Sequence, residues 1–382
     1  MALKSRLGFG MMRLPVKNGN PTDFDYDELN RMVDTFIEAG YTYFDTSYVY
    51  HNGKSEEATR KAVVERYPRD AFTVATKFPP FSLEREDQIE PIFAEQLENL
   101  GVDYIDYYLL HNFQTVYYDG IDGKGGIVKT AHLFDHANKW KADGKIKHLG
   151  FSFHSSAKLL DRILTEHPEV EFVQIPFNYI DAESELVQAM QAYEVIRKHG
   201  KLAVFMEPVK GGGLSMVPAA VEQRLKEMNP NASIASWAIR YAGSFDGVIC
   251  NLSGMSTLEQ VRDNINSVQN LEPLSTDEMV QLHEVVKLYK NAGPIGADLE
   301  KYRGLIYHGA PVTAILEAYN MCQLQPDPGF ADDNNYLKNT VAEEAHLDFF
   351  GDMPDEKVIL VDGTDVSETV KKGENWLIEH SF

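Results

Sequence analysis

The stretch YFDTSYVYHNGKSEE, residues 43–57, begins apolar, places an aspartate at Asp45 and tyrosines at Tyr48 and Tyr50, and then turns polar. Its opening run is too continuous for a strand wetted on one side, so it belongs to a sheet buried on both faces. A carboxylate closing such a strand, with phenols behind it, marks the end where a sheet of this kind builds chemistry. Seven further runs share the pattern: SRLGFG (5–10), FTVATKF (72–78), YIDYYLLHN (104–112), HLGFSF (148–153), FVQIPFN (172–178), LAVFMEP (202–208) and GVICNLSGM (247–255).

Between these runs lie segments of helical period. In DFDYDELNRMVDTFIEAG (23–40), Leu29, Met32, Val33, Phe36 and Ile37 share one face, acidic residues crowd the start, and Gly40 supplies a left-handed stop. QIEPIFAEQLENLG (88–101), LVQAMQAYEVIRKHG (186–200) and SIASWAIRYAG (233–243) repeat the design. Eight strands alternating with helices predict a parallel sheet with right-handed crossovers. A closed (β/α)₈ TIM barrel fits better than an open doubly wound sheet, because Asp45, Lys77, His111, Ser152, Gln174 and Glu207 all fall at the C-terminal ends of strands. The repetition stops near residue 290. The expected division is therefore a barrel over residues 1–288 and a mainly helical C-terminal extension over 289–382, with GIDGKGG (120–126) a flexible excursion after the fourth strand.

Composition narrows the function. The chain has 382 residues, with 36 Lys and Arg against 58 Asp and Glu, a formal charge of −22. Such a charge repels phosphate backbones and acidic lipid, so neither nucleic acid nor a membrane surface is expected as a partner. Two cysteines, Cys250 and Cys322, make no disulfide framework and no zinc site, which suits a reducing cytoplasm. The opening MALKSRLGFGMMRLP has no long apolar run, so neither a signal peptide nor a membrane span is expected.

Asp45, Tyr50, Lys77 and His111 are chemically complementary. A phenol of ordinary pKa, about 10, is a poor acid at neutral pH, and a nearby ammonium draws it toward the working range. Lys77 supplies the ammonium, and Asp45 holds that amine charged where burial would neutralise it. His111 can donate a hydrogen bond to a carbonyl oxygen while hydride arrives at the carbon. Singly, each has a plainer reading, as a packed aromatic, a wetted strand-end lysine, a core histidine or a turn cap; together at successive strand ends they read as a site.

In this order and spacing the four residues resemble the catalytic tetrad of aldo-keto reductases, (β/α)₈ barrels that use a nicotinamide cofactor. The resemblance runs from LGFGMMRLP to GMSTLEQVRDNI and also rests on TKFP, LLHN, GKIKHLGFSF and QIPFN. It implies Tyr50 as general acid, Lys77 and Asp45 as its tuners, and His111 as the substrate-orienting donor, acting on a small-molecule carbonyl or alcohol. It further implies that Ser152 and Gln174 bind the nicotinamide carboxamide. Met206 stands where an aromatic platform is usual, and Phe153 then His154 follow Ser152 where asparagine is usual. The places that clamp an adenosine 2′-phosphate in many relatives hold Gly254 and Gln260, counted back from Asn264. Lys210 and Gly212 of VKGGGL can approach the pyrophosphate, and Arg262 the adenosine, which leaves NADP(H) or NAD(H) open. Tyr117, Tyr118 and the residues around Met11–Arg13 are expected around the substrate.

One branch of that family carries a ferredoxin-like segment after the barrel. PIGADLEKYRGLIYHGAPVTAILEAYN resembles its flanks, but Gly296, Leu299, Tyr302 and Ile306 occupy the cluster-ligand places, with Tyr307 where a proline follows, so no iron–sulfur cluster is expected. Two other functions remain open: a cofactor-binding regulatory barrel with little catalysis, motivated by Phe153, Met206, Gly254 and Gln260, and a metal-dependent hydrolase using His51, His111 and His154.

Overall fold

The computed structural model describes residues 6–120, 125–325, 337 and 355–380. Eight parallel strands close in chain order into a barrel: β1 (Arg6–Gly10), β2 (Tyr43–Asp45), β3 (Thr73–Phe78), β4 (Ile105–Phe113), β5 (Ile146–Phe153), β6 (Phe172–Pro176), β7 (Leu202–Met206) and β8 (Val248–Gly254). Gly10 lies opposite Gly254, so β8 pairs back onto β1 and the sheet has no edge. The barrel that the alternation predicts is the one observed. Most of the expected excursion at 120–126 lies outside the described residues, which omit 121–124.

Helices surround the strands: α1 (Tyr26–Glu38), α2 (Tyr50–Gly53), α3 (Ser55–Thr59), α4 (Ile89–Leu100), α5 (Thr115–Tyr118), α6 (Ile127–Thr130), α7 (Leu133–Ala142), α8 (Ala157–Glu166), α9 (Ala189–Lys198), α10 (Ala219–Met228), α11 (Ile234–Ala242), α12 (Leu258–Gln269) and α13 (Thr276–Asn291). In α1 the side chain of Asp25 accepts from the Glu28 amide, and Leu29, Met32, Val33 and Phe36 are buried. The periodic face read from the sequence is the face packed on the barrel.

Strand alternation positions the site. Side chains two residues apart share a face, and the barrel interior is plugged by Tyr43, Ala75, Leu109, Phe172, Val204, Met206, Cys250 and Leu252. Stepping two residues toward the C-terminal mouth from Tyr43, Ala75, Leu109, Phe172 and Leu252 gives Asp45, Lys77, His111, Gln174 and Gly254. The same parity puts Ser152 inward on β5, where it pairs with Gln174, and Gly10 inward on β1, where it pairs with Asp45. The outward residues between them, such as Phe44, Val74, Leu110 and Phe205, belong to the core shared with the helices.

After α13 the described chain forms a two-stranded antiparallel hairpin, β9 (Ile306–Tyr307) and β10 (Ala310–Pro311), then α14 (Val312–Gln323) and α15 (Ser367–Glu379). Helix α15 packs on α14 through Trp376 against Tyr319, with ring centroids 5.9 Å apart. The buried Glu374 carboxylate of α15 meets Nδ1 of the buried His308 at 2.8 Å. No helix among the described residues is long and apolar enough to cross a membrane.

The polar KSEE that closes the opening stretch is structural. Ser55 Oγ donates to the Met11 carbonyl at 3.0 Å and accepts from Thr46 Oγ1 at 2.8 Å. The buried Glu56 carboxylate receives Thr76 Oγ1 at 2.6 Å, Gln96 Nε2 at 2.9 Å and Asn99 Nδ2 at 3.2 Å, joining α3 to β3 and α4. Burial outweighs these three donors and pushes Glu56 from the ordinary 4.5 to about 7. A carboxyl raised on folding binds its proton more tightly in the native state, so its contribution to stability is present below pH 4.5 and is lost as pH rises to about 7. Urea melts of the protein should lose up to roughly 3 kcal/mol across that window, each pH unit within it being worth ~1.36 kcal/mol, and Glu56→Gln should flatten the loss. Equal slopes in the two proteins would refute this assignment.

Candidate active site

β2 ends at Asp45 and the chain turns at once through Thr46 and Ser47 into α2, which opens on Tyr50. His51 and Asn52 both adopt left-handed backbone, with φ of 52° and 53°. Such a conformation in two consecutive residues other than glycine is costly and persists only when its surroundings fix it. His51 provides the fixing: its Nε2 accepts from the Leu14 amide at 3.2 Å, and its Nδ1 meets the Pro21 carbonyl at 2.8 Å. The turn holds the ring of Tyr50 over Lys77, whose Nζ lies 4.7 Å from the ring centroid.

Lys77 has no solvent exposure. Its ammonium donates to Asp45 Oδ1 and, at 2.7 Å, to the Thr46 carbonyl. Burial alone would drive the amine toward its neutral form; the charge of Asp45, followed by that of Tyr50, overcomes this and raises the Lys77 pKa above the ordinary lysine value. The tuning of Tyr50 departs from the sequence expectation. Burial pushes its phenol up, and the charge and hydrogen bond of Lys77 pull it back only in part, so the net direction is upward. Tyr50 is thus protonated at neutral pH with an ammonium beside it, a proton donor whose conjugate base already has a stabilising partner.

His111 sits edge-to-face against Tyr50, with centroids 5.9 Å apart. Burial, then the charges of Lys77 and His154, hold it well below the ordinary histidine pKa, so the imidazole is neutral. Its Nδ1 lies 3.1 Å from Oγ of the buried Ser47. A serine hydroxyl donating to Nδ1 places the ring proton on Nε2, which leaves that atom to donate to a substrate. Ser47 is a residue the sequence reading passed over; its only signal there was its place two residues after Asp45. Phe81, in a 3-10 turn at Pro80–Ser82, was passed over too, and lies 5.5 Å from His111 and 6.0 Å from Tyr117 between ring centroids.

The strand ends beyond the tetrad suit a nicotinamide. Ser152 Oγ accepts from the Asn112 amide at 2.8 Å, which leaves its proton to donate. Gln174 Nε2 points to the Met206 sulfur at 3.5 Å, while Gln174 Oε1 is buried with no hydrogen-bond partner. A buried orphan acceptor beside a hydroxyl donor is complementary to a carboxamide, which offers an N–H and a carbonyl. Met206 closes the barrel plug beneath them and can meet a ring with its thioether.

Other residues singled out in the sequence are placed differently. The Lys210 ammonium, 4 % exposed, is bound to Asp181 Oδ1 at 2.6 Å inside the structure, and that contact competes with any phosphate. Gly212 lies in the β7–α10 loop at φ 101°, a conformation that favours glycine. Gln260 Oε1 accepts from the Ser256 amide at 2.7 Å, which makes it a brace of the β8–α12 turn. Asn264 is buried and donates to Ser253 Oγ at 2.8 Å, fixing the end of β8 from behind. Tyr118 is fully buried with its hydroxyl on Glu166 at 2.5 Å, so it does not line the mouth as the sequence reading expected, whereas Tyr117 does reach Phe81. His51 is occupied by backbone groups, and among the described residues no cluster of three metal-ligating side chains occurs.

Over residues 6–287 the sequence matches the profile of a family described as the aldo/keto reductase family. An aldo-keto reductase of Mycolicibacterium vanbaalenii is 28 % identical over 67 % of this chain and 82 % of its own. The NADH-specific methylglyoxal reductase of Escherichia coli is 23 % identical over 74 % of this chain and 96 % of its own. Among solved structures, an aldo-keto reductase from Klebsiella pneumoniae in complex with NADPH superposes with a TM-score of 0.57 at 18 % identity, covering 76 % of this chain and 96 % of that one. The holo form of an aldo-keto reductase from Bacillus halodurans gives 0.58 at 23 % identity, covering 75 % and 95 %.

Removing the carboxylate from this interior leaves an ammonium without its counter-charge, which costs about 3–5 kcal/mol for a buried pair. Asp45→Asn should therefore lower the unfolding free energy from urea melts by that amount, and adding Lys77→Met should recover most of the loss. Additive losses in the double variant would show that the two groups are not coupled.

Proposed function

The chain belongs to the aldo/keto reductase family, and from that premise we propose that its four polar residues at the barrel mouth carry out NAD(P)H-dependent reduction of a carbonyl, or the reverse oxidation of an alcohol. The protein is an oxidoreductase of that family; the roles of the individual residues are the proposal. The observation that carries it is the Lys77–Asp45 pair buried directly beneath the Tyr50 ring. Such a pair stabilises little by itself. It is accounted for by the phenolate that its ammonium would stabilise when Tyr50 gives up its proton.

When bound, NAD(P)H supplies the hydride that reaches the carbonyl carbon. Gln174 Oε1 and the Ser152 hydroxyl hold the carboxamide, which fixes the ring face presented to the substrate. As negative charge grows on the carbonyl oxygen, Tyr50 transfers its proton there, and the Lys77 ammonium stabilises the phenolate left behind. Asp45 keeps Lys77 charged throughout. His111, neutral and held at Nδ1 by Ser47, donates a hydrogen bond from Nε2 to the same oxygen. Phe81 and Tyr117 screen this corner from water. In the alcohol direction the phenolate of Tyr50 accepts the proton.

The reading extends to the rest of the chain. A barrel over 1–288 and an extension over 289–382 are consistent with the family match ending at residue 287. The extension resembles the ferredoxin-like branch in its flanks and, with Gly296, Leu299, Tyr302 and Ile306 at the ligand places, carries no cluster. The buried Cys250 and Cys322 suit a reducing cytoplasm. The relatives include an enzyme named as NADH-specific and a structure holding NADPH, so both cofactors are candidates, with a small carbonyl or alcohol as the second substrate and no nucleic acid or membrane.

Tyr50→Phe should lower kcat for carbonyl reduction by about 10²–10⁴-fold while the Kd for NADPH or NADH, from fluorescence titration, changes by no more than ~2-fold. Because burial raises the Tyr50 pKa and lowers that of His111, the reduction rate should stay level through neutral pH and fall only above about 10, as the phenol loses its proton. Undiminished turnover in Tyr50→Phe would remove the tetrad from the mechanism. Cofactor binding by the wild-type protein with no turnover on any aldehyde or ketone would favour the regulatory function instead.

A further inference from the structure

Asp45 and Thr46 hold the amine of Lys77, and a second set of buried groups, outside the barrel, holds its peptide. Alternate carbonyls of a parallel strand face the same neighbour. On β3 the Ala75 carbonyl faces β2 and accepts the Thr46 amide at 2.8 Å; the next to face that way is the carbonyl of Lys77. The β2–β3 register ends at Asp45 opposite Ala75, so the Lys77 carbonyl lies beyond the ladder on that side. Gln96 of α4 fills the place, its Nε2 donating to this carbonyl at 3.1 Å. The same nitrogen donates to Glu56 Oε1 at 2.9 Å, and Gln96 Oε1 accepts from the Tyr108 hydroxyl of β4 at 2.5 Å. Thr76 Oγ1, one residue before Lys77, also donates to Glu56 Oε1, at 2.6 Å. Glu56, Thr76, Gln96 and Tyr108 are all buried. Ser55, the residue before Glu56, braces the other end of the lysine: its Oγ accepts from Thr46 Oγ1 at 2.8 Å, and the Thr46 carbonyl accepts from the Lys77 ammonium at 2.7 Å.

We propose that Glu56 and Gln96 are positioning residues for the reductase reaction, fixing the strand-end peptide of Lys77 so that its ammonium stays against the Tyr50 ring. The inference rests on the reductase function above. Packing alone does not call for these residues. Burial raises the Glu56 carboxyl from 4.5 to about 7 in spite of three neutral donors, and an apolar side chain would fill the space between α3, β3 and α4 without that cost. A fully bonded polar network admits one arrangement, and a reaction that depends on placement loses rate steeply with small displacements. The carboxyl separates its partners by oxygen: Oε1 receives Thr76 and Gln96 on the strand side, and Oε2 receives Asn99 of α4 at 3.2 Å. A proton on Oε2 therefore leaves the bonds toward Lys77 in place, as the level rate expected through neutral pH requires.

Gln96→Met keeps the bulk of the side chain and removes its hydrogen bonds. Its kcat for carbonyl reduction should fall about tenfold or more, while KM and the Kd for NADH or NADPH stay within ~2-fold of wild type. Burial raises the pKa of Tyr50; of the groups that face it, Lys77 lowers it, Asp45 and Glu207 raise it, and His111 is neutral. A displaced ammonium should therefore carry the alkaline fall in kcat to higher pH, which a loss of stability alone would not do. Glu56→Gln, which retains an acceptor for Thr76 and Gln96, should keep kcat within about threefold of wild type, whereas Glu56→Met should lose as much as Gln96→Met. Asn99→Ala, which removes only the bond to Oε2, should leave kcat within ~2-fold. Unchanged kcat and an unmoved alkaline fall in Gln96→Met would overturn the proposal, and so would an equal loss in Asn99→Ala, which would signify general loosening. Should Gln96→Met not fold, Tyr108→Phe, which frees the Gln96 amide and keeps the ring, decides by the same two readouts. Wild-type protein without turnover, or full turnover in Tyr50→Phe, removes the reductase function and this role with it. An inactive Tyr50→Phe beside an unimpaired Gln96→Met removes only the role of Glu56 and Gln96.

Discussion

An ammonium with no access to water, held by one carboxylate, is the interaction on which the barrel mouth depends. Lys77 and Asp45 arrive on neighbouring strands, each two residues beyond a plug residue, Ala75 and Tyr43, so the geometry of closure alone points both inward. Neither would be tolerated there singly. Together they form a neutral ion pair whose ammonium end lies against the Tyr50 ring. The barrel's plug and its jacket of helices are apolar; the pair restricts what can stand next to it, and a phenol is among the few groups that gain from doing so.

Much of the fold was legible in the sequence because two simple periods carry it. Continuous apolar runs gave all eight strands to within a few residues, and the 3.6-residue period gave α1, α4, α9 and α11. The strand-end position of polar residues selected a closed barrel, and closure brings Asp45, Lys77, His111, Ser152, Gln174, Met206 and Gly254 to one inward-facing layer. The extension was legible only as not-barrel. Its hairpin is two residues per strand, too short for any periodicity, and its α15 is tied down by His308–Glu374, a pair separated by 66 residues that no local pattern announces.

Within the site, what escaped the sequence were contacts that depend on unusual backbone or on desolvation. Ser47 and Ser55 look like turn residues, yet both are buried, one on His111 and one under β1. Glu56 looks like one of two solvated acids; Glu57 is solvated and pairs with Lys54 at the surface, while Glu56 is enclosed. A helical turn separates two such neighbours by about 100°, but nothing in the letters says which of them faces inward. The engagement of Lys210 escaped the sequence for a related reason, since its partner Asp181 comes from a different loop and only tertiary packing brings the two together.

Two titratable groups share this mouth, and their environments push them in opposite directions, as the proposed division of acid–base labour requires. The Lys77 ammonium lowers the pKa of both neighbours. For the imidazole this acts with burial, and the result is a neutral ring that can donate a hydrogen bond but cannot act as the stronger acid. For the phenol it acts against burial, and the result is a group that keeps its proton in the resting protein and loses it at lower cost than an isolated buried tyrosine would. A protonated His111 would compete with Tyr50 to supply the proton and would add a second positive charge beside Lys77. The burial of His111 at the end of β4, with its Nδ1 beside Ser47, opposes that, so in the mechanism proposed above one cation serves the site and Tyr50 is the proton donor.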